Sequence, residues 1–257
     1  MDYFVICITA LFGSILTLFS GFGLGTILLP VFGFFFPIEI AIVMTSIVHF
    51  ANNLLKLLFF GKNANKNIVL KFGLPAIIAA FVGAYILNLM SGLQTLLWYE
   101  IFGKTFEITI LKIVIGLLLV VFALFDFIPK LKNLEFDAKY LPFGGVLSGF
   151  FGGISGHQGA LRSAFLIRTD LNKEAFIATG VMIACLVDVS RLSIYIPKII
   201  NNGVALNYQL LTTAVLSAFL GVYFGSKLLQ KTTVGLLQNI VCFLLIVFGL
   251  LMMLGII

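Results

Sequence analysis

The chain has 257 residues, of which 61% are hydrophobic and 10% charged, with a net charge of +6. A water-soluble domain carries about 25% charged residues, so this chain has too few to cover its own surface in water. Apolar stretches run almost end to end, so no attached soluble enzymatic or regulatory domain is expected. The basic residues, gathered in short loops and at helix ends, read as topology signals rather than a nucleic-acid footprint.

Met1-Asp2-Tyr3 lacks the basic n-region of a cleavable signal peptide, so the mature protein is expected to start here. The first apolar stretch, 3–36, is interrupted at Ser20-Gly21-Phe22-Gly23-Leu24-Gly25. Spans are predicted at 38–60, 68–90 and 107–128, each near the roughly 20 residues that cross a hydrocarbon core. A polar connection, 129–140, leads to a second interrupted stretch, 141–168. Its break is Gly152-Gly153-Ile154-Ser155-Gly156-His157-Gln158-Gly159. Three further spans are predicted at 174–197, 208–229 and 233–256. Cys7, Cys185 and Cys242 stand singly in apolar segments, which suggests neither a disulfide framework nor a thiolate metal site.

Both halves share a pattern. Each break precedes a short apolar segment and then a helix with Ala-x-x-x-Thr, Ala41 to Thr45 and Ala175 to Thr179. Gly21 and Gly156 are 135 residues apart, Thr45 and Thr179 134. The chain therefore reads as an all-α polytopic membrane protein made of two duplicated repeats, 1–128 and 141–257. Each repeat is an interrupted stretch plus three spans.

Charge counting compares two topologies. If each interrupted stretch crosses once, the loop basics divide seven against five. If each turns back as a re-entrant hairpin, the repeats are inverted and the division is ten against two, with Lys56, Lys112, Arg162 and Arg191 inside helices. The positive-inside rule favours the inverted arrangement, with both termini outside and Trp98 and Tyr99 in an outer, interfacial loop. Interrupted segments at matching places in two halves point to a transporter binding site. Freed N–H groups at such breaks, with the positive end of the next helix, suit an anion. Gly21, Gly23, Gly25, Gly156 and Gly159 are the candidates.

Polar residues inside spans add to this. His49, Asn53 and Lys56 follow Thr45 at helical spacing and share one face. Asp188 and Arg191 share a face of 174–197, and the repeat offset lays them over Asn53 and Lys56. Charges in spans are costly and commonly face a bundle interior or wet cavity. Asp188 with Arg191 also reads as a neutralised structural pair, and Lys56 and Lys112 as lysines snorkelling to an interface. Arg162, just past the second break, suits bidentate capture of an oxyanion. His157 and Gln158 lie within the break as substrate contacts. His49 is a hydrogen-bonding or proton-coupling group. No HxxxH or HExxH pattern exists, so no metal site is expected.

Ser20-Gly21-Phe22-Gly23-Leu24-Gly25-Thr26, the run to Pro30, and Pro37 to Ser46 together resemble the first repeat of the sulfite exporter TauE/SafE transporters. Gly152 to Ala160, with Ala175, Thr179 and Gly180, resembles the second. The resemblance implies a secondary carrier of small sulfur-containing or organic anions such as sulfite, sulfonates or sulfoacetate. The second turn departs from the family pattern, with His157, Gln158 and Arg162 where glycines are denser. The expected partners are a small anionic substrate and the lipid bilayer, with a coupling proton or sodium ion and a second copy of the chain left open. No cofactor and no nucleic acid is expected. The implied location is a bacterial inner membrane.

Other classes compete. Gly153-Ile154-Ser155-Gly156 reads as the GxSG of a rhomboid-type serine protease, but no histidine follows His157 to serve as its base. An anion channel would share the same glycine breaks. Gly103-Lys104-Thr105 matches a P-loop tail, yet the leading glycine falls at Trp98, which argues against a nucleotide-driven pump.

Overall fold

A computed structural model describes residues 2–18, 23–201, 203, 206–228 and 235–257. In chain order the helices are α1 (Asp2–Thr17), α2 (Leu24–Phe35), α3 (Ile38–Phe60) and α4 (Lys66–Met90), then α5 (Ile110–Phe127) and the short α6 (Pro129–Lys132). They continue with α7 (Leu141–Ser155), α8 (Gly159–Leu166), α9 (Lys173–Asn201), α10 (Tyr208–Leu228) and α11 (Gly235–Met253). The protein is an all-α polytopic membrane protein: α3, α4, α5, α9 and α10 are long and apolar enough to span, and α1, α2 and α11 are shorter apolar helices.

One expected boundary is corrected. The span expected from 107 begins at Ile110, because Lys104–Ile108 (β2) pairs antiparallel with Leu97–Ile101 (β1). Phe102 and Gly103 both take positive φ, the two-residue turn that matches strand twist. Thr109 then caps α5 by accepting from the Lys112 amide, and Tyr99 fixes the ribbon to the C-terminal end through the Leu254 carbonyl at 2.6 Å.

Both interrupted stretches fold back on themselves. Gly13 of α1 lies against Leu24 and Ile27 of α2. In the second, Gly144 lies under Phe165, and the Ser148 hydroxyl donates to the Gln158 carbonyl at 3.1 Å. The chain reverses at Gly156, whose φ of +79° is a left-handed conformation that favours glycine. The first reversal, with Gly21, lies outside the described residues, as does Lys231.

Small residues set the packing. Gly145, Gly149 and Gly153 of α7 lie against the backbone of Phe72, Ala76 and Ala80 of α4, so these helices run parallel at glycine-limited separation. Gly221 and Gly225 of α10 meet Leu11, Ser14 and Ile15 of α1, also in parallel. Gly116 of α5 and Gly249 of α11 face each other, with Met253 near Gly116 and Val120 near Gly249, so α5 and α11 run antiparallel.

At the centre α3 and α9 are also antiparallel. Asn65 N–H donates to Thr179 near one end, and Asn53 meets Asp188 further along. These two helices are the most buried of the candidate spans, at 61% and 67% against 39–44% for the others. Outward faces carry exposed Leu58, Leu70, Leu74, Ile78, Leu216 and Phe243, a surface matched to lipid rather than water.

Candidate functional site

The helical spacing of α3 brings His49, Asn53 and Lys56 to the face packed on α9, which presents Asp188 and Arg191 in return. Asp188, fully buried, is the hub. Its Oδ2 lies 2.7 Å from His49 Nδ1 and accepts from Asn53 Nδ2 at 3.2 Å. Its Oδ1 accepts from Arg191 Nε at 3.0 Å and pairs with Nη2 at 2.7 Å. The carboxylate requires the His49 proton on Nδ1, so Nε2 faces Gly23, where a Cβ would come within 3.1 Å of it. Buried Arg191 also lies against the reversal: a Cβ on Gly156 would sit 2.5 Å from Nη1. Glycine is therefore needed there for its φ and for its missing side chain.

Beside this hub lies a cavity of about 140 Å³. It is lined by Gly23, His49, Asn53, Lys56 and Arg162, with Lys173 and Phe176 toward its mouth and Gly180 in its wall. Lys56 is 4% exposed, and its ammonium makes no ion pair among the described residues. Arg162 is half-buried, donates to Gln158 Oε1 at 3.3 Å and likewise meets no carboxylate. A Cβ on Gly180 would come within 3.3 Å of Arg162 Nε, so this glycine makes room for the guanidinium. Asp188 is already shared between Arg191 and His49. Among the described residues, Lys56 and Arg162 therefore face this cavity with no carboxylate in ion-pair contact. Buried unpaired charge is expensive unless a ligand or water meets it.

The remaining sequence candidates are placed differently. Gly25 packs on Thr45 and His49 within α2, and Gly21 lies outside the described residues. Gly159 and His157 border a much smaller gap with Thr26 and Asp126. The His157 ring stacks on Phe122 (centroids 5.7 Å, planes 7° apart), away from the main cavity. His157 Nε2 and Gln158 Nε2 are buried without a hydrogen-bond partner among the described residues. Ser155 does meet an imidazole, that of His157, at 2.9 Å. Its hydroxyl donates to the Phe151 carbonyl, however, so the ring nitrogen is the donor and not a base toward serine.

Sequence reasoning did not single out Tyr195. It lies four residues beyond Arg191, on the same face of α9, and its hydroxyl donates to the Gly153 carbonyl of α7. Beyond it a second cavity, about 330 Å³, opens between Glu39, Val43, Asn88, Leu111, Lys198 and Ile199. The helical register of Asp188, Arg191, Tyr195 and Lys198 was the available signal.

The family model described as Sulfite exporter TauE/SafE matches residues 6–252 of this chain. No curated protein and no solved structure matches it.

Proposed function

The chain belongs to the sulfite exporter TauE/SafE family of membrane transporters, and on that premise we propose that it is a secondary carrier of a small sulfur-containing or organic anion. One observation carries the reading: Lys56 and Arg162 face one cavity, and among the described residues no carboxylate pairs with either. An oxyanion supplies the missing charge, taking charge-assisted hydrogen bonds from the guanidinium and the ammonium. Asn53 and the Gly23 turn complete its surroundings. Asp188 holds His49 and Arg191 in place, and the His49–Asp188 pair is positioned to carry a coupling proton.

Alternating access follows from an inverted duplication. The helix pairs that such a duplication equates, α3 with α9 and α5 with α11, run antiparallel, and α1–α10 packing is matched by α4–α7 packing. That supports two halves of opposite orientation, whose relative rocking would open each side in turn. The layer closed by Tyr195, between cavities at the two ends of α9, favours a carrier over an open channel. With the basic loops inside, the Lys173 cavity faces the cytoplasm of a bacterial inner membrane.

The test is anion flux in proteoliposomes, comparing sulfite, sulfoacetate, sulfate and chloride with and without a pH gradient. Saturable, gradient-sensitive flux of one anion is the expected result. Large, undiscriminating flux would replace the carrier by a channel. No flux of any anion would remove the reading.

A further inference from the structure

Asn53 and Asp188 are 135 residues apart, as are Lys56 and Arg191. Asn53 also touches Asp188, at 3.2 Å across two antiparallel helices. Equivalent positions of two inverted halves meet only on the two-fold axis that relates them. Lys56 and Arg191 each lie three residues further along their own helices, so they leave this axis in opposite directions. Lys56 lines the cavity at the Lys173 end of α9, and Arg191 stands three residues nearer the Lys198 end than Asp188, its guanidinium held on Asp188 and against Gly156.

Their surroundings are unequal. Lys56 opens on the first cavity without an ion pair, whereas Arg191 is 1% exposed, bonded to Asp188 and covered by Gly156. Tyr195, about 6 Å further along α9, is bonded to the α7 backbone, and the second cavity begins on its far side. One helical turn thus separates Arg191 from a cavity that contains Lys198 and the unpartnered Asn88 Oδ1.

Building on the carrier reading, we propose that Arg191 is the anion-binding cation of the opposite-facing state. When Tyr195 leaves the α7 carbonyls, Arg191 opens onto the second cavity as Lys56 now opens onto the first, and Lys56 is sealed in its turn. The ligand is the same small oxyanion, held there by the guanidinium.

Two reporters test this in a chain with Cys7, Cys185 and Cys242 replaced by alanine. Ile177→Cys lies in the first cavity, and Ile194→Cys lies three residues past Arg191. A membrane-impermeant thiol reagent is expected to reach Ile177→Cys only from the Lys173 side and Ile194→Cys only from the Lys198 side. If the opposite-facing state is roughly 0.1–10% populated, Ile194→Cys reacts about 10- to 1,000-fold more slowly. Tyr195→Phe, which removes one hydrogen bond, raises that rate about fivefold.

Sulfoacetate, which leaves thiol reagents intact and is added only on the side from which each cysteine is labelled, so that it reaches only the state open to that side, should slow both reactions. Adding Arg191→Gln should abolish its protection of Ile194→Cys and spare that of Ile177→Cys. Should Arg191→Gln not fold, the pair Asp188→Asn/Arg191→Gln leaves no lone buried charge and carries the same test. Protection of Ile194→Cys that survives the loss of Arg191 would overturn the proposal. Labelling of Ile194→Cys from the Lys173 side, or from neither side, would do the same. Absence of protection at Ile177→Cys would instead overturn the carrier reading beneath it.

Discussion

Replacing Asp188 by asparagine keeps the shape of the central hub and removes its only negative charge. The side chain is fully buried, and its oxygens serve His49, Asn53 and, twice, Arg191. Without the carboxylate, Arg191 remains at 1% exposure with no opposing charge. Removing one partner of a buried pair costs about 3–5 kcal/mol, whereas replacing both by neutral groups is far milder. For a chain of this size each kcal/mol moves the melting temperature by about 2–4 °C, so Asp188→Asn should lower it by about 6–20 °C. The assay is thermal unfolding of detergent-purified protein. Asp188→Asn/Arg191→Gln should regain at least half of the loss, since neither charge is then left alone. A double variant as unstable as the single one would mean that Arg191 does not depend on Asp188 for its charge balance.

Other outcomes follow from the packing and from the reversal. A side chain at Gly149 meets the backbone of Ala76, with Cα and C at 2.6 and 2.7 Å from its Cβ. Gly149→Val should therefore force α4 and α7 apart and cost about 1–3 kcal/mol, read as a lower melting temperature and yield. Gly156→Ala meets both an unfavourable φ, at about 1–2 kcal/mol, and the Arg191 guanidinium. It should lower stability and transport together, measured as melting temperature and flux on one preparation. Arg168 pairs with Glu135 at 2.8 Å in an exposed loop. Arg168→Ala should leave the melting temperature essentially unchanged, since exposed pairs are screened by water and salt.

Helices were the most legible part of the chain, because a bilayer imposes long apolar runs and punishes charge within them. The ribbon at 97–108 was not legible. Its second strand, Lys104–Ile108, runs directly into the apolar stretch that follows, and its turn places Phe102 at positive φ where asparagine or aspartate is the usual signal. Of the candidate site, the shared face of His49, Asn53 and Lys56 could be read directly from spacing. The hydrogen-bond partners could not. The sequence gives no sign that His157 turns onto Phe122 while His49 takes Asp188, since those choices depend on how α5 and α9 approach the hairpin tips. Tyr195 escaped notice because an aromatic residue in a span is ordinarily core or interface. Only the position of α7 shows that its hydroxyl bonds the Gly153 carbonyl at the edge of the second cavity.

In the carrier reading, Lys56 and Arg162 together hold a small anion. Isothermal titration of sulfite into purified wild-type protein, Lys56→Gln and Arg162→Gln tests it most directly. The wild type should bind sulfite saturably. Each variant should bind about 10- to 150-fold more weakly, the equivalent of one charge-assisted hydrogen bond at about 1.5–3 kcal/mol. Equal affinity in all three proteins would contradict it and place the anion elsewhere in the molecule.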